Sequence, residues 1–353
     1  MRTYPWSRPG WFVVAAPLLI AAPLALAPDS GPVPVPSAPI EGSAPVVAVA
    51  AAPGALDTSA ASAAAPSTLA PALAADPVAD DPVLVGAGDI AACGEGSEAT
   101  AALLDRIPGT VVTLGDNAYG SGTAEEYARC YEPTWGRHKA RTRPAPGNHD
   151  YMTASAAPYF AYFGERAGAP RQSYYSYDLG AWHIVALNSN CDEVGGCEAG
   201  SPQERWLRVD LAAHPAACTL AYWHHPRFSS GEHGNNRAVQ PFWQALYDAG
   251  ADVALAGHEH FYERFAPQDP AGAADPARGI RQFTVGTGGA SLYQFGVVRP
   301  NSEVRSAESF GVLKLTLGSQ GYQWEFVAAD GKPSKDRGSA ACHAGARGAP
   351  AAS

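Results

Sequence analysis

The segment 253–264 reads Val253-Ala254-Leu255-Ala256-Gly257-His258-Glu259-His260-Phe261-Tyr262-Glu263-Arg264. Four apolar residues lead into a glycine, and two histidines one residue apart follow that glycine. A short and continuously apolar run is typical of a strand buried in a sheet that helices cover. The two histidines would then project beyond the carboxyl end of the strand, where imidazoles are free to bind a metal ion.

The same order of features, an apolar run followed by polar residues, occurs at four earlier places in the chain. In three of them a glycine comes directly before the polar residue, where it would allow the backbone to turn sharply. Because the ends of neighbouring strands meet in one crevice, we expect all five segments to form a single site. The four earlier segments are Gly88-Asp89, Gly115-Asp116-Asn117-Ala118-Tyr119, Gly147-Asn148-His149-Asp150 and His224-His225-Pro226.

Strand-like and helical stretches alternate between residues 81 and 280, and strand-like runs dominate afterwards. The runs 110–114, 183–187 and 219–223 are rich in β-branched and aromatic residues, whereas 202–213 and 239–249 are helical in pattern. This alternation predicts an α/β fold class with mixed sheets.

The two ends of the chain differ in composition from its centre. Residues 1–27 combine a basic start, an apolar stretch and an Ala25-Leu26-Ala27 cleavage pattern, which predicts a signal peptide; an uncleaved membrane anchor is the alternative. Residues 28–81 are nearly all Ala, Pro, Ser, Val and Gly, which predicts a disordered spacer. We expect a folded domain at 82–345, a disordered tail at 346–353, and a secreted protein or one on the exterior of the cell envelope, near which the spacer would hold it.

Six cysteines in an exported chain predict disulfides, and Cys191–Cys197 is the favoured pair among 15 possible pairings. The net charge of −10 over 353 residues argues against a nucleic-acid partner bound through a basic patch. It does not argue against a small phosphorylated substrate, because metal ions reverse the local potential.

The polar residues of the five segments are types that bind cations. Carboxylates and an amide oxygen suit hard cations, and imidazoles suit zinc, iron or manganese. Two adjacent ions bridged by a carboxylate can clamp the attacking and leaving oxygens of a phosphoryl displacement. We therefore predict a site with two metal ions that hydrolyses a phosphate ester.

These motifs together resemble the metallophosphoesterase (calcineurin-like phosphoesterase) superfamily, and within it the purple acid phosphatases, over about residues 82–330. Tyr119 stands three residues after Asp116, as in that family's Gly-Asp-x-x-Tyr, and residues 257–264 match its Gly-His-x-His-x-Tyr-Glu-Arg. The resemblance implies mixed β-sheets stacked as a sandwich and flanked by helices, a four-layer αββα arrangement.

The resemblance also implies two ion sites that share Asp116. Tyr119, as a phenolate, would favour ferric iron in the first site, with zinc, manganese or iron as a divalent ion in the second. A tyrosine packed beneath the site, with divalent ions in both places, is the alternative. The chain departs from the family at Ile90-Ala91, where a glycine or a second histidine is usual, and Tyr119 would take that place. The first ligand set is Asp89, Asp116, Tyr119 and His260, and the second is Asp116, Asn148, His224 and His258.

Histidines next to these ligands are candidates for proton transfer. His149 would contact the phosphate or protonate the leaving oxygen, with Asp150 orienting it, and His233 is the rival acid. His224 and His225 compete for the ligand position. Strand alternation predicts that only one of them faces the site, and the family spacing to proline favours His224.

The function that the resemblance implies is a secreted, acid-phosphatase-type phosphomonoesterase in which a hydroxide held by the ions attacks phosphorus. A phosphodiesterase acting on nucleotides or lipid head groups is the alternative with the same centre. An inactive envelope-binding module is the alternative of another class. The sequence leaves the oligomeric state open. It also predicts a structural ion pair between the adjacent residues Glu263 and Arg264.

Overall fold

The computed structural model describes residues 80–343. The predicted signal peptide, nearly all of the predicted spacer and the predicted tail lie outside these residues. Among the helices of the described part, none has the length and apolar character needed to cross a bilayer.

Thirteen strands in two mixed sheets, joined by short helices, make up the described part of the chain. In chain order the strands are β1 (Val83–Ala87), β2 (Thr110–Leu114), β3 (Thr142–Ala145), β4 (Tyr175–Leu179), β5 (Trp182–Ala186), β6 (Cys218–Tyr222), β7 (Val253–Ala256), β8 (Tyr262–Phe265), β9 (Arg281–Val285), β10 (Ser302–Ser306), β11 (Gly311–Leu317), β12 (Gly321–Ala328) and β13 (Arg337–Ala341). The α-helices are α1 (Glu95–Leu104), α2 (Ala124–Glu126), α3 (Asn148–Tyr151), α4 (Ala157–Phe163), α5 (Pro202–Ala213) and α6 (Gln240–Asp248). A π-helical turn spans Tyr127–Tyr131, and 3-10 turns span Trp135–Arg141, Ala154–Ala156, Gly164–Ala167 and Cys191–Glu193.

Parallel pairing places the strand ends that matter at common edges. The six-stranded sheet has the order β13-β12-β11-β1-β2-β3, and the seven-stranded sheet has the order β10-β8-β9-β7-β6-β5-β4. Strands β1, β2 and β3 run parallel, as do β5, β6, β7 and β9. The segments that follow β1, β2 and β3 therefore gather at one edge, and those that follow β6 and β7 gather at another.

The two sheets share a core. Val111 of the six-stranded sheet and Ile184 of the seven-stranded sheet belong to the same buried cluster. The next residue along β5, Val185, faces a second buried cluster that includes Leu207 of α5 and Phe242 of α6. Because alternate residues of a strand point to opposite faces, β5 packs against the other sheet on one face and against helices on the other. The predicted α/β sandwich of mixed sheets with flanking helices is confirmed.

Three disulfides cross-link the described residues: Cys93–Cys130, Cys191–Cys197 and Cys218–Cys342. The predicted Cys191–Cys197 pair is confirmed. The third bridge joins the first residue of β6 to the residue that follows β13, so it fastens the seven-stranded sheet to the last strand of the six-stranded sheet.

Candidate metal centre

The ends of five strands bring the predicted ligands into one place. β1, β2 and β3 supply oxygen ligands from the six-stranded sheet, and β6 and β7 supply imidazoles from the seven-stranded sheet. The residues that follow these strands are, in that order, Asp89, Asp116 with Tyr119, Asn148, His224, and His258 with His260.

The first predicted set is arranged around the phenol of Tyr119. Its hydroxyl oxygen lies 2.9 Å from Asp89 Oδ1 and 2.9 Å from Asp116 Oδ2. His260 Nε2 lies 3.2 Å from the same hydroxyl and 3.2 Å from Asp89 Oδ1. The four side chains of the first set therefore converge, with the Tyr119 hydroxyl in contact with the other three.

The second predicted set is arranged around His224, whose ring is fully buried. Its Nε2 atom lies 3.0 Å from Asn148 Oδ1, 3.2 Å from His258 Nδ1 and 3.4 Å from Asp116 Oδ2. Since Asp116 Oδ2 also faces Tyr119, one carboxylate oxygen belongs to both sets.

The chemistry of these atoms fits a pair of metal ions. Ligands that bind one ion at about 2.0–2.2 Å are separated from each other by roughly 2.8–3.6 Å. The distances within the two sets, from 2.9 to 3.4 Å, lie in that range. His224 Nδ1 lies 2.8 Å from the carbonyl oxygen of Leu114 and donates to it, so Nε2 directs a lone pair at other acceptors. Only a proton or a cation can hold the lone pair of His224 Nε2 close to the three acceptor atoms that surround it.

In the metal-free protein, a proton on His224 fills this role. Burial lowers the pKa of His224, but the carboxylates of Asp116 and Asp89 outweigh burial and raise it to about 9. Burial likewise raises the pKa of Asp116, but His224 and His149 outweigh it and the pKa falls well below its usual value. Burial raises the pKa of Tyr119 far above its usual value, and the charges of Asp89 and Asp116 add to this. A phenolate at Tyr119 therefore requires a strong cation.

The ligands themselves make the tight turns at the strand ends. Asp89, Asp116 and His258 have φ angles of 61°, 53° and 71°, a region that costs a residue with a side chain about 1 kcal/mol or more. Such backbone strain is found mostly at functional sites.

The glycines before these ligands serve mainly to leave space, which corrects the predicted role in turning the chain. Gly115 alone among the four has a positive φ. A Cβ on Gly257 would lie 2.7 Å from the Leu114 carbonyl oxygen, and one on Gly147 would overlap Asp116 Oδ1. Each glycine lets a neighbouring strand end approach closely.

Both histidines after β6 reach the centre, so the prediction that only one does was wrong. Strand β6 ends at Tyr222, before His224 and His225, and alternation no longer applies there. The His225 ring centroid lies 4.8 Å from that of His224 and 4.5 Å from that of His258. Burial lowers the pKa of His225 to about 3, and the neighbouring His224 adds to this.

His149 lies at the centre, but Asp150 does not orient it. His149 Nδ1 lies 2.6 Å from the Gly120 carbonyl oxygen, and its ring packs 4.4 Å from that of Tyr119. Asp150 is buried and instead accepts hydrogen bonds from the Gly147 N–H and the Tyr127 hydroxyl. Burial raises the pKa of Asp150 to about 6, with a further contribution from the charge of Asp116. Asp150 thus supports the loop that carries Asn148.

His233 lies on the other side of the centre, where Glu259 holds it. The sequence did not single out Glu259. The His233 ring centroid lies 4.4 Å from that of His258. Its Nδ1 lies 3.2 Å from Oε2 of Glu259, which is fully buried and also accepts from the Ser229 hydroxyl. The carboxylate between two predicted ligands in His258-Glu259-His260 was the available signal.

Two other contacts had no signal in the sequence. Ser291 Oγ lies 2.7 Å from His260 Nδ1, and the Tyr293 hydroxyl donates to the His258 carbonyl oxygen at 2.8 Å. The first contact holds the imidazole of His260, and the second holds the backbone of His258.

The predicted ion pair between Glu263 and Arg264 is not formed. Arg264 Nε donates to Asp336 at 2.7 Å, and Glu263 accepts the Ser230 N–H at 2.9 Å. Adjacent residues of strand β8 point to opposite faces, which separates the two charges.

The sequence model of the calcineurin-like phosphoesterase family matches residues 82–262, just over half of the chain. The protein belongs to this family. Among curated proteins it is similar to probable purple acid phosphatase 20 of Arabidopsis thaliana, with 30% identity over 40% of this chain and 38% of that protein. Purple acid phosphatase 21 of the same plant is 30% identical over 46% of this chain and 41% of its own length.

A third relative, probable inactive purple acid phosphatase 1 of Arabidopsis thaliana, is 23% identical over 58% of this chain and 38% of its own length. This calcineurin-like phosphoesterase thus spans about two-fifths of the length of these relatives.

Two solved structures have the same fold. A purple acid phosphatase from yellow lupin (Lupinus luteus) seeds has a TM-score of 0.59 at 19% identity, covering 74% of this chain and 53% of that one. A dimetal phosphatase from Danio rerio has a TM-score of 0.52 at 14% identity, covering 76% of this chain and all of that one.

Proposed function

We propose that this calcineurin-like phosphoesterase is an exported hydrolase of small phosphate monoesters, of the purple acid phosphatase type, with two metal ions in its centre. One observation carries the proposal: two groups of four side chains share a single oxygen, Asp116 Oδ2. The relatives named purple acid phosphatases support the same class of reaction.

The two ligand sets differ in the ions that they suit. The set with Tyr119 contains two carboxylates and a phenol, and we assign ferric iron to it because only a strong Lewis acid ionises a tyrosine at neutral pH. The set with His224 and His258 has two imidazoles, and we assign to it a divalent ion such as zinc, manganese or iron.

When both ions are bound, they supply Lewis acidity for the phosphoryl oxygens and lower the pKa of water at the centre. The side chains around them position the ester. His149 is fixed by Gly120, so the side of its ring that carries Nε2 remains for a phosphoryl oxygen. His233 is fixed by Glu259 and is half exposed, so it can deliver a proton to the leaving alcohol.

Export is supported by the three disulfides, because such bonds persist in oxidising compartments. The pattern of residues 1–27 adds to this, and the spacer would hold the enzyme near the cell envelope.

Metal analysis of the purified protein, combined with turnover of p-nitrophenyl phosphate and of bis(p-nitrophenyl) phosphate, tests the proposal. We expect two ions per chain and faster hydrolysis of the monoester. Faster hydrolysis of the diester would establish the phosphodiesterase instead. Absence of bound metal, or absence of turnover with metal present, would leave the inactive envelope-binding module.

A further inference from the structure

A cavity of about 480 Å³ opens beside the second ligand set. Asn148, whose amide oxygen faces His224, forms part of its lining, together with His225. The loop closed by the Cys191–Cys197 disulfide forms another wall. The volume lies within the range of cavities that hold small organic ligands.

His225 belongs to neither ligand set, yet its ring packs against both histidines of the second set, His224 and His258. Its Nδ1 atom lies 2.8 Å from the hydroxyl oxygen of Ser189, and that oxygen also accepts the backbone N–H of His225 at 2.9 Å. Two contacts to one serine therefore fix both the backbone and the ring of this residue.

The Ser189 hydroxyl also determines which ring nitrogen of His225 carries the proton. Among residues 80–343, the Ser189 hydroxyl has no acceptor other than Nδ1 of His225, so we assign its proton to that contact and the ring proton to Nε2. Within residues 80–343, Nε2 has no hydrogen-bond partner, so it can donate to a molecule in the cavity.

The charge of the cavity wall restricts what enters. Asp192 and Glu193 line it and are exposed, and none of its lining residues is a lysine or an arginine. An organic group with further phosphates would meet like charges here, whereas a neutral or amine-bearing group would not.

We infer that this cavity is the subsite for the organic group of the ester, and that His225 Nε2 donates a hydrogen bond to an oxygen of that group. This inference rests on the proposed phosphatase function and names its substrate class. The class is phosphate esters of neutral or amine-bearing alcohols that carry a hydrogen-bond acceptor.

Three variants of His225, each in the full, metal-loaded chain, test the donor. His225→Ala removes it, His225→Asn places an amide near the position of Nδ1, and His225→Gln places the same amide near Nε2. For glycerol phosphate we expect kcat/KM to fall about tenfold in the first two and by less than about threefold in His225→Gln, as for the loss of one hydrogen bond. The inhibition constant of inorganic phosphate, which has no organic group, should not change.

Two results would overturn the assignment. If the variants weaken inhibition by phosphate as much as they slow turnover, His225 acts on the ions and not on the organic group. If His225→Ala leaves kcat/KM unchanged, the residue contacts no substrate. Affinities of glycerol phosphate and phosphate from calorimetry give the same comparison without turnover, so failure of the phosphatase function is distinguished from failure of this subsite.

A separate experiment tests the negative charges of Asp192 and Glu193 in the cavity wall. Changing Asp192→Asn together with Glu193→Gln should lower the ratio of kcat/KM for phosphoethanolamine to that for glycerol phosphate about threefold, as expected for exposed charges. An unchanged ratio would exclude amine-bearing alcohols from the substrate class.

Discussion

The hydroxyl oxygen of Tyr119 lies 2.9 Å from Oδ2 of Asp116, the oxygen that also faces the second ligand set. A half-buried phenol between two buried carboxylates keeps its proton, and its raised pKa agrees with this. Only a strongly Lewis-acidic ion such as ferric iron would replace that proton. The absorption of visible light by the protein is therefore a probe of the ion in the first site.

Changing Tyr119→Phe tests that probe. We expect the iron-loaded wild type to absorb visible light through a tyrosinate bound to ferric iron, and we expect the variant to lose this absorption. The zinc-loaded wild type should be colourless. Tyr162→Phe, which alters a tyrosine outside both ligand sets, should keep the band. An iron-loaded Tyr119→Phe protein with the wild-type spectrum would contradict the assignment of Tyr119 as a ligand.

Asp116→Asn should remove the ligand that both sets share. The amide preserves the shape of the side chain, and its remaining oxygen can still accept the His149 N–H, which donates to Asp116 at 2.8 Å. The fold should therefore survive, while the chain binds fewer than two ions and kcat/KM falls by about 10³ or more. Elemental analysis, circular dichroism and kinetics give the three readouts, with Asp105→Asn as a control. Two tightly bound ions and wild-type turnover in Asp116→Asn would refute a shared ligand.

His233→Ala should slow esters according to their leaving group. An alkyl alcohol needs a proton as it leaves, so turnover of glycerol phosphate should fall by about 10² or more. Nitrophenolate leaves without a proton, and p-nitrophenyl phosphate should be affected far less. Glu259→Gln, which keeps a hydrogen-bond acceptor but removes the charge, should show the same selectivity to a smaller degree.

The comparison with His149→Ala decides between the two histidines. If His149→Ala selectively slows the alkyl ester and His233→Ala does not, His149 is the acid. Equal slowing of both esters by His233→Ala would mean that His233 has no role in proton transfer.

The sequence predicts the central elements well because each carries its own local signal. Helix α5 was predicted with the bounds that the structure shows, and Ser201 caps it by accepting the Glu204 N–H, with Pro202 in the first turn. Strand β2 was likewise predicted in full as a continuous apolar run. Strands β4 and β13 were missed, because both lie at sheet edges and neither contains a fully buried residue.

The ligand residues could be singled out because their signal is also local, a polar residue at a strand end. Contacts between loops gave no such signal. Asp150 follows His149 directly, but consecutive residues of helix α3 point in different directions, and Asp150 turns into the protein. The position of His225 depends on where β6 ends, which the sequence placed one residue too late.

His183 should make stability depend on pH at the far end of β5. Its buried ring lies between two carboxylates, with Nδ1 2.9 Å from Asp178 and Nε2 2.8 Å from Asp210. Burial lowers the pKa of His183, but the carboxylates outweigh it, so the pKa is raised. The folded-state pKa of His183 exceeds the unfolded value of about 6.5. The protonated ring therefore contributes to the free energy of unfolding fully below about pH 6.5, and this stabilisation is lost as the pH rises through the folded-state pKa.

His183→Gln should therefore lower the Tm by roughly 5–10 °C near pH 6 and by clearly less near pH 9. Thermal unfolding in the presence of a chelator keeps the metal centre out of the comparison. His138→Gln is the matched control, because burial lowers the pKa of that histidine and the same pH trend should be absent. A loss in His183→Gln that does not change with pH would show that the ring contributes by packing alone.

The disulfides should differ in their contribution to stability according to the length of chain that they close. Cys218–Cys342 spans 124 positions and Cys191–Cys197 spans 6, so chain entropy predicts roughly 5 and 2 kcal/mol respectively. Replacing both cysteines of the long-range bridge by serine should lower the Tm by about 10 °C or more, because β13 then loses its covalent link to β6.

The same change at Cys191 and Cys197 should cost less stability but should lower kcat/KM for glycerol phosphate, since that loop forms a wall of the cavity beside Asn148. If the short-range bridge proves the more stabilising of the two, loop closure is not the dominant effect, and native packing around residues 191–197 must be.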